Sequence, residues 1–315
     1  MSGKPFRLAL AQKVCRPLPP LISQRIRTFI YPQKHAFGDD YEFQVQALTG
    51  SWFRHRTSDF HGYPFSVHGY YEWRNWTIAL AVCRPGDRII EIGANIGTET
   101  VGFADIVGRK GCVYAFEPFP DNVRAIQSNV SLNGLNQVTV FAVAVGASDG
   151  RVRFVAPPDK HASGIGFVAH TGTEVNEAAI DVECVTLDSL RRELGPCQAI
   201  FMDAEGAEID ILRGGRSYMT EFQPVVVLEA SPRHLKRSGF DLHDLYQEVT
   251  ILGYKAYHIG RFSVRDISLT TNRAANWLCL PASQQGALAS VNWLIRRCGL
   301  LPCIAGLNPM VSRSG

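Results

Sequence analysis

Apolar residues recur in two alternating patterns from residue 88 onward. Short, nearly continuous apolar runs indicate buried strands at 88–92, 112–116 and 138–145. Segments with helical spacing follow the first two runs, at 98–107 and 120–133. This regular exchange of strand and helix predicts parallel strands with helices on both faces of one sheet.

The pattern changes after residue 150 and later resumes. Segments 150–155 and 181–186 alternate apolar and polar residues with period two, which predicts an inserted antiparallel pair. The later elements are expected as strands at 199–202, 224–228, 255–259 and 277–280 and helices at 207–213 and 242–252. The expected fold class is therefore α/β: a doubly wound, Rossmann-like sheet in a three-layer sandwich, with an inserted antiparallel β pair.

The segment before the first strand lacks this regularity. It is rich in aromatic residues and histidine, which predicts an irregular flap on the main domain, followed by a helix at 73–82. We expect three parts, namely an N-terminal extension or flap at 1–72, the main domain at 73–266, and a last strand with a basic tail at 267–315.

Charge is unevenly distributed, although the net charge is only +3. The first 38 residues contain seven basic residues and no acid, and residues 267–315 contain four arginines and no acid. The tail carries a stripe with helical spacing, beside Arg296 and Arg297, formed by Leu288, Val291, Leu294, Ile295 and Cys298. Two interpretations stay open: the stripe packs against the core, or the basic ends lie on an anionic membrane surface.

Composition is that of a soluble globular protein, with 46% hydrophobic and 19% charged residues. No apolar run approaches the roughly 20 residues that a membrane span needs. The eight cysteines form no C-x-x-C pair, which argues against zinc ribbons and thioredoxin-type chemistry and favours a reducing compartment. We therefore expect a cytoplasmic protein, whose basic ends, under the second of these interpretations, contact the inner face of a membrane peripherally.

The first strand ends in the turn Glu91-Ile-Gly-Ala-Asn-Ile-Gly97. Gly93 and Gly97 allow a tight turn and close approach of a ligand to the backbone. Asn95 and Thr98 stand where a dinucleotide fingerprint has its second and third glycines, so the turn favours a nucleoside ligand without a pyrophosphate. The carboxylate of Glu91 would repel phosphate and accept hydrogen bonds from a cationic amino group.

Three further strands also end in acids. Glu117 follows the second strand at the distance typical of an acid that binds both ribose hydroxyls, while Asp203 and Glu229 end the fourth and fifth strands. Carboxylates that converge on one crevice are costly unless they meet cations or hydroxyl donors. S-adenosylmethionine carries a sulfonium and an ammonium, so it is the predicted cofactor. The predicted cofactor-binding residues are Glu91, Gly93, Asn95, Gly97 and Glu117.

The stretch from about residue 72 to 257 resembles the FkbM-type methyltransferase family. The matching pieces, in order, are Arg84-Pro-Gly-Asp87, Glu91-x-Gly-Ala-Asn-Ile-Gly97, Tyr114-Ala-Phe-Glu-Pro118, Asn129-x-x-x-Asn133-Gly134, Ala142-Val-Ala-Val-Gly146, Thr186-Leu-Asp188, Asp203-x-Glu-Gly-Ala-Glu208 and Pro224-x-x-x-x-Glu229. The resemblance implies a class I methyltransferase fold and methyl transfer to oxygen on sugars, glycolipids or related secondary metabolites. One departure is Phe201, which stands where the family commonly has lysine.

Methyl transfer to an alcohol is an in-line displacement that needs a base. Asp203 is the first candidate for that base and Glu229 the second. Histidines 61, 68 and 234 are weaker candidates, because a lone histidine is more often structural. The expected acceptor is a small molecule, glycan or glycolipid.

Two other functions stay open. A metal-assisted O-methyltransferase would use Asp203, Glu205 and Glu229 to hold magnesium. A non-catalytic scaffold would bind the same cofactor without transferring its methyl group. A nucleic-acid substrate is disfavoured, because Asp203-Ala-Glu-Gly206 does not resemble a segment that stacks a flipped base and the body of the protein is acidic.

Overall fold

The fold is a large mixed sheet covered by helices, with a smaller inserted sheet and a helical N-terminal part. A computed structural model describes residues 3–159, 162–169, 179–267, 269 and 274–312. The helices are α1 (Phe6–Cys15), α2 (Pro20–Ile30), α3 (Gln33–Asp39), α4 (Gly62–His68), α5 (Trp73–Val82), α6 (Thr100–Val107), α7 (Pro120–Asn133), α8 (Arg191–Leu194), α9 (Glu208–Gly214), α10 (Arg216–Phe222), α11 (Pro232–Arg237), α12 (Leu242–Ile251) and α13 (Ala287–Leu300). The strands are β1 (Glu42–Gln46), β2 (Trp52–Arg56), β3 (Arg88–Ile92), β4 (Cys112–Phe116), β5 (Val138–Phe141), β6 (Ala144–Val145), β7 (Gly150–Val155), β8 (Phe167–Val168), β9 (Ala179–Val185), β10 (Ala199–Met202), β11 (Val225–Ala230), β12 (Tyr254–Ile259), β13 (Val264–Asp266) and β14 (Ala275–Pro281).

Eight strands form the main sheet in the order β13-β12-β14-β11-β10-β3-β4-β5. Strands β5, β4, β3, β10 and β11 are parallel to one another, while β14 runs antiparallel to both of its neighbours. The chain winds outward from β3 to β5 and then returns to β10 on the other side of β3. The β3/β10 junction is therefore the switch point at which α/β sheets bind ligands. This sheet confirms the predicted doubly wound class I methyltransferase fold.

Alternate residues of each central strand enter opposite layers of the core. Ile89 and Phe201 pack towards α5, α6 and α13, whereas Ile90 and Ile200 pack towards α9 and α12. Side chains this fully buried contribute about 1.5–3 kcal/mol each. The two layers hold the strand ends in fixed register at the switch point.

The prediction of one strand over 138–145 is wrong in one respect, because this segment forms two strands that belong to different sheets. β5 ends at Phe141 in the main sheet, and β6 pairs instead with β9 of the inserted sheet, Ala144 opposite Cys184. The predicted antiparallel pair is present as β7 and β9, with β8 added beside β7. This small sheet stands beside the mouth of the crevice.

The prediction that the first segment is irregular is wrong. It contains four helices and the β1–β2 hairpin, and it has a core of its own that includes Leu8, Tyr31 and Tyr63. The side chain of Asn129 on α7 bonds the backbone of Arg54 in both directions. The segment is therefore a folded layer that packs on the main domain; we call it the N-terminal layer.

The tail forms the predicted helix as α13. Its apolar stripe is a core face, since Val291, Ile295 and Cys298 are fully buried on the side that packs on α5. The membrane contact expected of this stripe therefore does not fall on these residues. Trp293 and Leu300 are the large apolar side chains of α13 that remain exposed. No helix in the described ranges is long and apolar enough to cross a membrane.

Candidate functional site

The glycine turn between β3 and α6 lies directly at the switch point. Gly93, Asn95 and Gly97 all have positive φ, at 80°, 51° and 85°. A Cβ on Gly93 would lie 1.9 Å from the carbonyl oxygen of Asp203. Only glycine therefore lets the tips of β3 and β10 approach this closely.

Gly97 shapes the turn, and its predicted part in cofactor binding stays a prediction. It packs under Ile126 of α7 and does not line the crevice. Its left-handed conformation turns the chain into α6.

A continuous crevice opens above this turn, and we divide it into two halves. Gly93, Asn95 and Asp203 line both halves. The side towards β4, here called the donor half, is lined further by Phe116, Glu117, Asn122, Val143, Phe154 and Phe167. The side towards β11, here called the acidic half, is lined further by His61, Tyr71, Asn75, Glu91, Glu99 and Glu229.

Glu117 lies at the tip of β4 in the donor half. Its carboxylate accepts hydrogen bonds from the backbone N–H groups of Asn95, at 2.8 Å, and Phe119, at 2.9 Å. Burial raises its pKa to about 7, against the lowering effect of those two bonds and of the Asn122 side chain. Each carboxylate oxygen keeps a further acceptor site, so a ligand diol can still bind it.

Glu91 and Glu99 are the inner acids of the acidic half. Glu91 accepts a 2.6 Å bond from the Thr100 hydroxyl, and burial raises its pKa to about 8. Both oxygens of Glu99 accept from the Asn75 amide, at 3.1 and 2.9 Å, and burial with the nearby Glu91 charge raises its pKa well above the usual range. No lysine or arginine is among the described residues that line this half.

Asp203 stands at the border between the two halves. Its carboxyl group opens into the crevice, but the enclosing protein removes much of its solvation, and Glu229 and Glu205 add like charge. These effects raise its pKa well above the ordinary value. A carboxyl with a raised pKa is a stronger base at neutral pH.

His234 links two of the crevice acids. Its Nδ1 lies 2.8 Å from Glu229 and 3.1 Å from Glu205, and the hydrogen bond to Glu229 raises its pKa. The imidazole lies behind the carboxylates and is not among the residues that line the crevice. It thus holds Glu229 and Glu205 in place. Among the described residues, no group of three or more His, Cys, Asp or Glu side chains could hold a metal ion.

The N-terminal layer supplies two residues to the acidic half. His61 stacks on Tyr71 with ring centroids 4.0 Å apart, and its Nδ1 lies 2.6 Å from the Asn95 amide. The aromatic-rich composition of this segment was the one sequence signal for Tyr71. His68, in contrast, is buried against Ser23, 2.7 Å away, in the N-terminal layer.

Phe201 belongs to the wall of the acidic half. Its ring stacks on Phe103 with centroids 4.4 Å apart, and its backbone pairs with Glu91 and Val227. An aromatic contact in the core thus occupies the position where the family commonly has a cation. Residue 201 therefore supplies no positive charge to the acids of this half.

The inserted sheet covers the donor half. The Arg237 guanidinium lies 3.6 Å from the centroid of the Phe167 ring and also donates to the backbone carbonyl of Glu205. Asn122 of α7 donates to the carbonyl oxygen of Ser163, at 3.1 Å. These contacts fasten the insertion over the crevice on two sides.

This strand order, with an acid-lined crevice at the switch point, is that of a class I methyltransferase. A family model described as the methyltransferase FkbM domain matches residues 91–256, which is more than half of the chain. The chain belongs to the FkbM methyltransferase family. Family membership confirms S-adenosylmethionine as the predicted cofactor.

The individual relatives share low sequence identity with this chain or match only a short part of it. The 2-O-methyltransferase NoeI of Sinorhizobium fredii (strain NBRC 101917 / NGR234) is 27% identical over 157 residues, covering 44% of this chain and 61% of that protein. The protein-L-isoaspartate O-methyltransferase of Fervidobacterium nodosum is 32% identical over 77 residues, covering 24% and 37%. The chain thus spans less than two thirds of the length of either relative. A solved FkbM methyltransferase from Methylobacillus flagellatus KT is 15% identical with a TM-score of 0.41, covering 81% of this chain and 60% of that chain.

Proposed function

We propose that this protein transfers the methyl group of S-adenosylmethionine to a hydroxyl group of a sugar, glycolipid or related secondary metabolite. The observation that carries the proposal is the acidic half, where the carboxyl groups of Glu91, Glu99 and Asp203 have raised pKa values and no lysine or arginine is among the described lining residues. Such a wall favours a cationic ligand, because a positive charge relieves the like-charge repulsion.

The described residues fit this cofactor in both halves. Glu117 in the donor half would accept hydrogen bonds from the ribose hydroxyls, between walls that include Phe116 and Val143. Glu91 and Glu99 would face the ammonium group. The Asn95 Oδ1 atom is buried without a hydrogen-bond partner, so it offers an acceptor to the same ligand.

Asp203 is the proposed general base. The cofactor supplies an electrophilic methyl group on a positively charged sulfur. Asp203 would take the hydroxyl proton as the acceptor oxygen bonds to the methyl carbon and the carbon–sulfur bond breaks, leaving its electron pair on sulfur. Glu229, held by His234, would orient the attacking hydroxyl from the next strand.

The polar wall beside Asp203 favours a hydroxyl-rich acceptor. Tyr71, Asn75 and Asn276 place a phenol and two amides around the same space as the carboxylates. Amides and carboxylates match the paired donors and acceptors of sugar hydroxyls. The NoeI relative, which is by its name a 2-O-methyltransferase, supports the same direction.

The experiment is transfer of a labelled methyl group into fractionated glycolipid, polysaccharide and small-molecule extracts, followed by identification of the labelled product. The proposal predicts label in an O-methyl ether, and a loss of about 100-fold or more with Asp203→Asn. Tight binding of S-adenosylhomocysteine with no labelled product in any fraction would instead indicate the scaffold function. Turnover that a chelator abolishes and magnesium restores would indicate the metal-assisted route.

We further propose that the acid-free N-terminal end holds the enzyme at an anionic membrane surface. Phe6, Leu10 and Val14 are exposed along one side of α1, beside Arg7 and Lys13. An apolar stripe flanked by cations suits the interface of an anionic bilayer, to which each Lys or Arg adds about 1 kcal/mol.

Co-sedimentation with phosphatidylcholine vesicles, with and without phosphatidylglycerol, tests this contact. The wild type should sediment with the anionic vesicles, and a variant with Phe6, Leu10 and Val14 all changed to serine should not. The matched control changes Ile165 and Ile251, which are exposed elsewhere, to serine. Equal sedimentation of all three proteins would contradict the membrane contact.

A further inference from the structure

A second, open groove adjoins the crevice on its outer side. It has a volume of about 470 Å³ and lies between α2 and the β12–β13 connection. Its walls include Arg25 of α2, Arg74 of α5 and Arg261 after β12. Asn276 of β14 lines both this basic groove and the acidic half, so the two spaces share a wall.

The charge of the basic groove is opposite to that of the acidic half. Its lining contains three guanidinium groups and one carboxylate, Glu72, which is paired with Arg74 at 2.9 Å. Burial and the nearby Arg265 lower the pKa of His258, so this imidazole adds no charge at neutral pH. The lining therefore has a net charge of about +2, counting these ionised groups.

The guanidinium of Arg25 is available for a ligand. It is exposed and makes no hydrogen bond or ion pair with any residue that the structure describes. Arg261 donates to the carbonyl oxygen of Leu21 at 3.3 Å, which uses one of its five N–H groups. Arginines with free N–H groups on one groove are suited to bidentate binding of phosphate oxygens.

The strand order fixes how far this groove lies from the reacting atoms. β10 carries Asp203 at its tip, and β11, β14 and β12 follow it side by side. Three strand spacings give about 14 Å between Asp203 and the groove at β12. A group bound there is therefore about 14 Å from the methylated hydroxyl, which places the two on different parts of an extended acceptor.

We propose that the basic groove binds a phosphate or diphosphate group of the acceptor, which extends from there past Asn276 to Asp203. This rests on the proposed function and names the acceptor class: a phosphorylated saccharide whose methylated hydroxyl lies on a part of the molecule remote from the phosphate. A nucleotide sugar and a lipid-linked sugar phosphate carry the same group. The acidic half repels phosphate, which orients such an acceptor with its charged end outward.

Binding to the protein saturated with S-adenosylhomocysteine tests the groove by calorimetry. Inorganic pyrophosphate represents a soluble source, and phosphatidylcholine vesicles containing phosphatidic acid represent a lipid source. The vesicle measurements use proteins in which Phe6, Leu10 and Val14 are also changed to serine, so that α1 does not contribute to vesicle binding. The test variant combines Arg25→Ala with Arg261→Gln, which keeps a donor for Leu21. The control combines Arg109→Ala with Arg192→Ala, two exposed arginines outside the groove.

We expect the test variant to weaken pyrophosphate binding about tenfold or more, and the control to leave it unchanged. A parallel loss of vesicle binding assigns the phosphate to a lipid, and a loss with pyrophosphate alone assigns it to a soluble acceptor. Absence of both losses overturns the proposal. S-adenosylhomocysteine is titrated into the same preparations first. If it binds but pyrophosphate binding does not depend on the groove arginines, the groove proposal fails and the methyl-donor site stands. If the wild type does not bind S-adenosylhomocysteine, the proposed function itself is refuted.

Discussion

The backbone N–H of Asn95 donates to the Glu117 carboxylate across 2.8 Å, and this bond joins the tips of β3 and β4. It holds the left-handed turn and the acid proposed to bind the ribose in one rigid unit. The proposed cofactor site is therefore preorganised by the protein, which would lower the entropic cost of binding.

Replacement of Glu117 tests this unit. Glu117→Ala removes the acceptor for two backbone N–H groups and the acceptor proposed for two ribose hydroxyls. A lost bond to a charged group costs about 1.5–3 kcal/mol, so we expect S-adenosylhomocysteine affinity to fall about 10- to 100-fold. Calorimetric titration measures this, with Asp121→Ala on the exposed face of α7 as the control. An unchanged affinity in Glu117→Ala would show that the ribose binds elsewhere.

A pair of glycine substitutions separates backbone strain from blockage of the site. Gly93 and Gly253 have nearly equal φ, at 80° and 82°, but a Cβ on Gly253 meets nothing within 4 Å. Alanine at either position costs about 1–2 kcal/mol of stability through the left-handed conformation. Only Gly93→Ala should also collide with Asp203 and abolish cofactor binding. Thermal unfolding and ligand titration together check this, and equal ligand affinity of the two variants would refute it.

The pKa of Glu91 predicts a fall in stability with rising pH. Its folded value is about 8, against the ordinary 4.5, so between these values the folded chain binds more protons than the unfolded chain. The free energy of unfolding should therefore decrease as pH rises from about 4.5 to 8. Glu91→Gln should flatten this decrease and raise Tm at pH 8, by about 2–4 °C for each kcal/mol regained.

Binding of the cofactor should oppose the fall in stability that Glu91 causes as the pH rises. A cationic ligand favours ionised Glu91, so S-adenosylmethionine affinity should rise with pH through this window. A pH series of unfolding scans, with and without the ligand, provides both readings. A Glu91→Gln profile that overlays the wild type would contradict the assignment.

Arg237 links the insertion to the donor half. Arg237→Ala removes the cation that covers Phe167 and the bond to the Glu205 carbonyl, so the cofactor should dissociate about tenfold faster. Arg297→Ala, which removes a comparable cation–π contact on Trp293, is the control. Stopped-flow release of a fluorescent cofactor analogue measures the rates. Equal rates in both variants would mean that the insertion does not retain the ligand.

Sequence patterns predicted the sheet because buried parallel strands are nearly continuous apolar runs, as Val225 to Leu228 show. The acids at the strand tips were predictable for a related reason: the carboxyl ends of parallel strands meet at one edge of the sheet. The helices of the N-terminal layer were missed because many of their apolar residues, such as Phe6 and Phe29, are exposed and obscure the helical period. Tyr71 reaches the crevice through tertiary packing, which no local pattern encodes. The basic groove was missed for the same reason, because its arginines come from three distant segments.

Transfer of a labelled methyl group by the wild type and by Asp203→Asn, with cofactor affinity measured on the same preparations, tests the proposed O-methyl transfer most directly. The wild type should place label in an O-methyl ether, and the variant should lose about 100-fold or more of the transfer with nearly unchanged S-adenosylhomocysteine affinity. Full transfer by Asp203→Asn, or label that appears only on nitrogen or carbon, would contradict the proposed transfer.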